Sequence, residues 1–342
     1  MSEDLVITVE GVEDIIAPEV EVNIYGNKFK DFINRITFGL FFKSPKTVYV
    51  TADDFGSGVD KVEYLLSETA FTDQDVITGN WAEITLEDRR ARFNIESAQK
   101  AFVYVRVTDK SGNVTVVNSS GVVVYTDAEA ITGTRIFTMG SDFDMVYLLS
   151  MNGNSVSAVY NGTEKLSDTD YLVSKDGSFT LKNSYLTNLA AGEYTFRLTF
   201  NPMGEDYVEA YGNDAPAEVL LRLTVEKKTP IHDHMSSDGK IYDGKSIGMP
   251  TFNTDSDGAA TLEYKKAEEA DATYTTEAPK SVGKYTIRIT TAETDTFKAA
   301  SSTIEFEIEP REVTIFNTTV SDKVYDGTTE AKITSEGNGC LP

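Results

Sequence analysis

The stretch EYTFRLTF, residues 193–200, alternates without a break: Tyr194, Phe196, Leu198 and Phe200 fall on one side of an extended chain, Glu193, Thr195, Arg197 and Thr199 on the other. That period of two is a strand with one buried and one wet face. It returns in PEVEVNIYG (18–26), GKYTIRIT (283–290) and TIEFEIEP (303–310). Between such runs lie Asn152-Gly153, Asn161-Gly162, Asp176-Gly177, Asp238-Gly239 and Asp257-Gly258, dipeptides that tolerate the positive φ of tight hairpins. Short strands joined by tight turns, with no regular strand–helix alternation, predict an all-β chain of antiparallel sandwiches.

One segment breaks the rhythm. FKDFINRITFGLFF (29–42) sets Phe29, Phe32, Ile33 and Ile36 at the spacing of one apolar helical face, which predicts a short helix capping the open end of the first sandwich. About ten residues are too few for a helix stable alone, so local packing is expected rather than capture of a partner.

The chain has 342 residues, 40% apolar and 11% aromatic, enough for several domains with their own cores. Its formal charge of −24 repels nucleic-acid phosphates and anionic lipid, which excludes both as expected partners. Cys340 is the one cysteine, so no disulfide forms within the chain. No run of 18 apolar residues is present, and MSEDLVITVEG at the start has neither the basic nor the apolar region of an export signal; signal and anchor are expected outside this stretch.

Strand patterns lapse at AEAITGT (128–134), at EKKTPIHDHMSSDG (226–239) and at Pro310. These lapses divide the chain into a last strand of a preceding domain (1–17) and sandwiches at 18–127, 131–227 and 235–310, followed by the start of a further repeat (311–342). Tyr242-Asp243-Gly244 and Tyr325-Asp326-Gly327 recur 83 residues apart, each after a lysine and a β-branched residue, which predicts a tandem array of domain-sized units.

Three resemblances follow from these residues. The run from Phe29 to Ser67, Trp81, AFVYVRVTDKSGNV (101–114) and GVVVYTD (121–127) resemble the Ig-like repeats of Gram-positive surface proteins, over residues 19–127. The series from Val156 to Phe200, with its Asp-Tyr, Tyr-Leu and closing alternating strand, is similar to the X-two type module that accompanies carbohydrate-binding domains and cellulases, over 134–226. The third unit and the tail resemble the Tyr-Asp-Gly repeats of bacterial surface adhesins. These families are extracellular and non-catalytic. The resemblances therefore imply a secreted or wall-attached spacer and adhesion scaffold, monomeric within a longer chain, with a glycan or a host or cell-wall component as partner. The alternative they imply is a carbohydrate-binding accessory region of a polysaccharide-degrading enzyme.

Residues with chemistry to offer are few. His232-Asp233-His234 would share a strand face and could meet one divalent ion, but beside Pro230 the segment reads as a polar connection, with no further His or Cys to complete a zinc site. A Ser-His-Asp or Cys-His arrangement would have to use that same connection, so no enzyme is expected. Asp53, Asp54 and Asp60 flank FGSG (55–58), a turn whose aspartates accept backbone N–H groups; a Ca²⁺ loop is the sharper reading, but no complete loop pattern is present. TDKSGNV (108–114) reads as a hairpin turn. Trp81 is assigned to the core rather than to a sugar-stacking platform. No catalytic, cofactor or metal site is expected.

Overall fold

A strand that buries alternate side chains needs a second layer to bury them against, and the chain supplies that layer three times over. The computed structural model describes residues 11, 13–33, 36–72, 78–335 and 338–340. In the first sandwich the strands are β1 (Glu19–Ile24), β2 (Asn27–Phe29), β3 (Phe38–Phe42), β4 (Lys46–Asp53), β5 (Val59–Ser67), β6 (Ala82–Ile84), β7 (Arg90–Ile95), β8 (Gln99–Asp109), β9 (Val114–Asn118) and β10 (Gly121–Val124). One sheet has the order β2-β1-β4-β7 and the other β3-β10-β8-β5-β6, with β9 beside β8. All pairs are antiparallel except β3 with β10. Val20, Val22, Val48, Val50, Phe93 and Ile95 of the first sheet meet Leu40, Val103, Val105, Val107 and Val122 of the second in one core.

The second sheet is buried on its outer face as well. Leu65, Phe102 and Tyr104 carry a cover of Phe32, Ile36, Phe38, Phe71 and Trp81. Along β10, GVVV, the outward Val123 is covered by Phe38, Met203 and Tyr207, so the strand is buried at every position rather than at every second one. Gly121 is required there: a Cβ would lie 2.5 Å from the Phe38 ring and 2.7 Å from the Phe102 ring. Part of the cover is the segment expected to be helical. Its described residues are strand (Asn27–Phe29, Phe38–Phe42) or irregular, and the Asn118 amide pins it, accepting from Ile33 N–H at 2.6 Å and donating to the Ile33 carbonyl at 2.9 Å. The helix-like apolar spacing reflects a chain crossing over a sheet, not a helical face. Of DLVITVEG (4–11), expected as a preceding strand, only Gly11 lies within the described residues.

The second sandwich comprises β11 (Glu129–Ala130), β12 (Thr134–Thr138), β13 (Met145–Ser150), β14 (Ser155–Asn161), β15 (Glu164–Lys165), β16 (Tyr171–Val173), β17 (Ser178–Leu181), a short helix α1 (Asn183–Leu186), β18 (Gly192–Asn201) and β19 (Val219–Glu226). Its sheets are β11-β13-β17-β16 and β12-β19-β18-β14-β15. The opening stretch is its central strand β18, in which Phe196 and Leu198 are buried opposite Leu221 and Val219 of β19 and Phe200 is buried opposite Val156 of β14. AEAITGT, expected as a connection, instead starts this sandwich: Glu129 and Ala130 pair with Ser150 and Leu149 of β13.

These two sandwiches form one compact unit. Their junction is the loop between β18 and β19, which docks on the free edge of β3. Asn213 accepts from Phe41 N–H at 3.0 Å and donates to the carbonyls of Gly39 and Val208 at 2.9 Å each. Asp214 N–H donates to the Phe41 carbonyl at 2.8 Å. The Tyr125 hydroxyl donates to the Asp214 carbonyl at 2.6 Å, and burial, reinforced by Asp127 and Asp214, raises its pKa far above the usual phenol value. Tyr207 stacks edge-on against Phe41 at 5.3 Å.

The third sandwich, in a separate unit, has β20 (His232–Ser236), β21 (Lys240–Ile241), β22 (Thr251–Thr254), β23 (Ala260–Lys266), β24 (Gly283–Thr291) and β25 (Ala300–Glu309). The pair β20-β22 faces the sheet β21-β25-β24-β23, with Met235 and Phe252 packed against Tyr285, Ile287, Ile289 and Phe306. In the tail Thr314–Phe316 pairs with Asn338–Cys340 and Thr319–Val320 with Ile333–Ser335, while Ile315, Val320, Val324, Tyr325 and Ile333 stay exposed.

The junction gives a direct prediction. Asn213→Ala removes three hydrogen bonds from a part-buried amide, so chemical denaturation should show a loss of about 1–3 kcal/mol in the unit that holds the first two sandwiches. An unchanged midpoint would mean that the loop rests on the edge of β3 without bearing on its stability.

Candidate functional site

The aspartates singled out in the sequence separate in space. Asp53 pairs with Arg89 at 2.9 Å, Asp60 points outward and is exposed, and Asp54 accepts from Gly58 N–H, where Gly58 takes the positive φ of 82° expected of this turn. Asp54 also meets two residues that the sequence reading missed. Carboxylate oxygens of Asp14, Asp54 and Asp109 lie within 4.8 Å of one another, and three such groups could hold a hard cation. Each is already engaged. Asp14 accepts from Ile16 N–H at 3.1 Å and Ser57 N–H at 2.7 Å, and these bonds hold its carboxyl below the usual range. Burial alone would raise Asp109, but the Asn113 side chain and backbone, each donating at 2.8 Å, outweigh it and lower its pKa. The signal available in the sequence was the two turns, FGSG and TDKSGN, which meet at one end of the sandwich.

His232-Asp233-His234 is a strand of the third sandwich rather than a connection. The His232 ring lies 3.0 Å from both Ser302 Oγ and Thr291 Oγ1. His234 has a φ of 48°, and the register slips between Asp233 and Ser236, so the expected shared face is lost. His234 meets Asp233 at 2.9 Å, a hydrogen bond that raises its pKa. Trp81, expected in the core between the sheets, is instead part-buried in the cover on the outer face of the second sheet.

Trp81 also belongs to a pattern found in each sandwich. On the outer face of β5 and β8, Glu63 stands opposite Arg106; the guanidinium meets the carboxylate at 2.8 Å and lies 4.5 Å from the Trp81 ring centre. In the second sandwich Arg197 of β18 stands opposite Tyr160 of β14, lies 4.2 Å from its ring and pairs with Glu218 at 2.5 Å. In the third, Glu263 stands opposite Arg288, which meets it at 2.8 Å and lies 4.0 Å from Tyr274. Each arginine thus spends its donors on a carboxylate and its flat face on a ring. A guanidinium covers one face of each ring.

The outer face of β2-β1-β4-β7 is different. Tyr49, 53% exposed, stands at the middle of a cross-strand row between Asn23 and Arg92, and Thr51 in the next row stands between Glu21 and Arg90. A shallow groove of about 820 Å³ runs over these residues, bounded by Ile84, Thr85 and Glu87. Glu21 is held by Lys28 at 2.8 Å and Lys30 at 3.3 Å. Among the described residues, no ring or guanidinium stacks on Tyr49, and Arg90 and Arg92 form no ion pair.

Comparison with known proteins bears on the second sandwich. Residues 132–208 match the family described as carbohydrate binding domain X2. The chain is similar to cellulose-binding protein A of Clostridium cellulovorans, with 30% identity over 145 residues, which take in 42% of this chain and 7% of that protein. Among solved structures it resembles a tri-modular endo-beta-1,4-glucanase of Bacillus licheniformis complexed with cellotetraose, with a TM-score of 0.27 and 16% identity over 60% of this chain and 38% of that one. It also resembles SGBP-B of the Bacteroides ovatus mixed-linkage glucan utilization locus, in complex with a mixed-linkage heptasaccharide, with a TM-score of 0.23 and 15% identity over 90% and 75% of the two chains. Scores this low carry no information about a ligand.

The acidic turn yields a testable outcome. Because backbone and amide donors already satisfy its carboxylates, EDTA should leave the melting temperature unchanged, whereas Asp109→Ala should lower it by stranding the Asn113 donors. The lowered pKa values of Asp14 and Asp109 add stability above the unfolded carboxylate value of about 4, and that stability is lost as pH falls through the folded values. An EDTA-sensitive melt restored by Ca²⁺ would show that the cluster binds an ion.

Proposed function

We propose that the chain is a non-catalytic, carbohydrate-binding accessory region of an extracellular glycan-binding or glycan-degrading protein. The observation that carries this reading is the match of residues 132–208 to a carbohydrate-binding domain family. Net charge supports it by disfavouring polyanions, and a neutral glycan is indifferent to a charge of −24. A spacer and adhesion-scaffold role is the second reading. It is favoured by the junction at Asn213 and Asp214, which ties two sandwiches into one unit and would hold whatever they carry in a fixed relation. The two readings are compatible, since a scaffold of sheets leaves outward faces and end loops free for ligands.

Affinity electrophoresis of the full chain tests the first reading, with gels containing soluble mixed-linkage β-glucan, hydroxyethyl cellulose, xylan, galactomannan or polygalacturonate. At least one neutral polysaccharide should retard the chain, with no reducing ends released from it. Unretarded migration in every gel would overturn the carbohydrate-binding reading and leave the scaffold.

A further inference from the structure

We infer that the outer face of β2-β1-β4-β7, centred on Tyr49, is a binding platform for a neutral, equatorially substituted pyranose chain. The inference rests on the carbohydrate-binding reading above but assigns the ligand to the first sandwich, outside the residues that match the carbohydrate-binding family.

The argument starts from what the other sheets do with the same residue types. Where an arginine and a ring share an outer face, Glu63, Glu218 and Glu263 take up the guanidinium donors, and the guanidinium covers Trp81, Tyr160 and Tyr274. Those groups are consumed within the protein. Tyr49 and Arg92 are also cross-strand neighbours in register, yet they are not stacked, and Arg92 has no carboxylate partner among the described residues. The face keeps an open ring and uncommitted donors side by side.

Such a face suits a pyranose. The ring of Tyr49 can take the apolar C–H face of an equatorially substituted sugar, while its hydroxyl and the Arg92, Arg90, Asn23 and Thr51 side chains lie around it to meet ring hydroxyls. Four strands about 4.8 Å apart make a platform roughly 14 Å across, room for more than one sugar. Charge selects the class of ligand. Around the groove Glu21 and Glu87 face Arg90 and Arg92 as well as Lys28 and Lys30, which hold Glu21, whereas the chain as a whole has 55 acidic against 31 basic residues. The local basic side chains disfavour a cationic peptide and the net charge of −24 disfavours an acidic polysaccharide, so the hydrogen-bonding groove fits an uncharged polyol best.

The test uses the intact chain and isothermal titration with cellohexaose and soluble mixed-linkage β-glucan. Tyr49→Ala should weaken binding about tenfold or more, and Tyr49→Phe, which keeps the ring, should remain within about threefold of the parent. Arg92→Gln should weaken it by a smaller factor. Tyr274→Ala should bind as the parent does. Melting curves and circular dichroism establish that each variant is folded; should Tyr49→Ala fail to fold, Tyr49→Ser and Arg92→Gln carry the test. Parent-like affinity in folded variants lacking the Tyr49 ring would overturn the assignment while the carbohydrate-binding reading stands. Preference for polygalacturonate over the neutral glucans would overturn the ligand class. A parent chain that binds neither neutral glucan would overturn the platform, while the carbohydrate-binding reading is decided by the full set of gels.

Discussion

Cross-strand pairing on the outward faces of the sheets is the constraint from which the rest of this molecule can be understood. A strand buries every second side chain in a core between two sheets, and the alternate ones must find partners across the ladder, in a covering segment or in solvent. The protein uses all three solutions. The second sheet of the first sandwich buries its outer face under Phe32, Ile36, Phe38 and Trp81. The inner strands β8, β18 and β24 each hold an arginine between a glutamate and a ring. The sheet β2-β1-β4-β7 leaves its central ring unstacked and two guanidiniums without an ion pair among the described residues.

This economy connects fold to function. A ring covered by a guanidinium presents less surface to a ligand, and a guanidinium paired with a carboxylate has fewer donors to give. Tyr160, in the sandwich that resembles known carbohydrate-binding domains, is covered in this way by Arg197, whose charge goes to Glu218. Its neighbours Tyr185 and Tyr194 commit their hydroxyls to Asn161 and the Ala190 carbonyl. The same reasoning explains why the acidic cluster at Asp14, Asp54 and Asp109 reads first as turn structure: backbone and amide donors already occupy its oxygens.

How far the sequence could be read follows from the range of each signal. Alternation is local, so EYTFRLTF, GKYTIRIT and PEVEVNIYG were legible as strands with the correct inward faces. Register is not local. Glu63 and Arg106 are 43 residues apart, and alternation alone does not say which outward residues become neighbours. Two signals misled for a physical reason. The apolar spacing of Phe29, Phe32, Ile33 and Ile36 is shared by a helix and by a chain draped over a sheet, and His232-Asp233-His234, polar and beside Pro230, looked like a connection because its partner strand β22 comes only after β21. Asp14 gave no sign of its role, since it acts on a turn 43 residues away.

The most direct test of the account is a crystal structure of the intact chain with cellohexaose. The account predicts a pyranose ring stacked on Tyr49, with hydroxyls within hydrogen-bond distance of Arg92 or Asn23, and the Arg197–Tyr160 and Arg288–Tyr274 stacks undisturbed. Density for the sugar on the second sandwich, with Arg197 swung away from Tyr160 and the Tyr49 face bare, would contradict it.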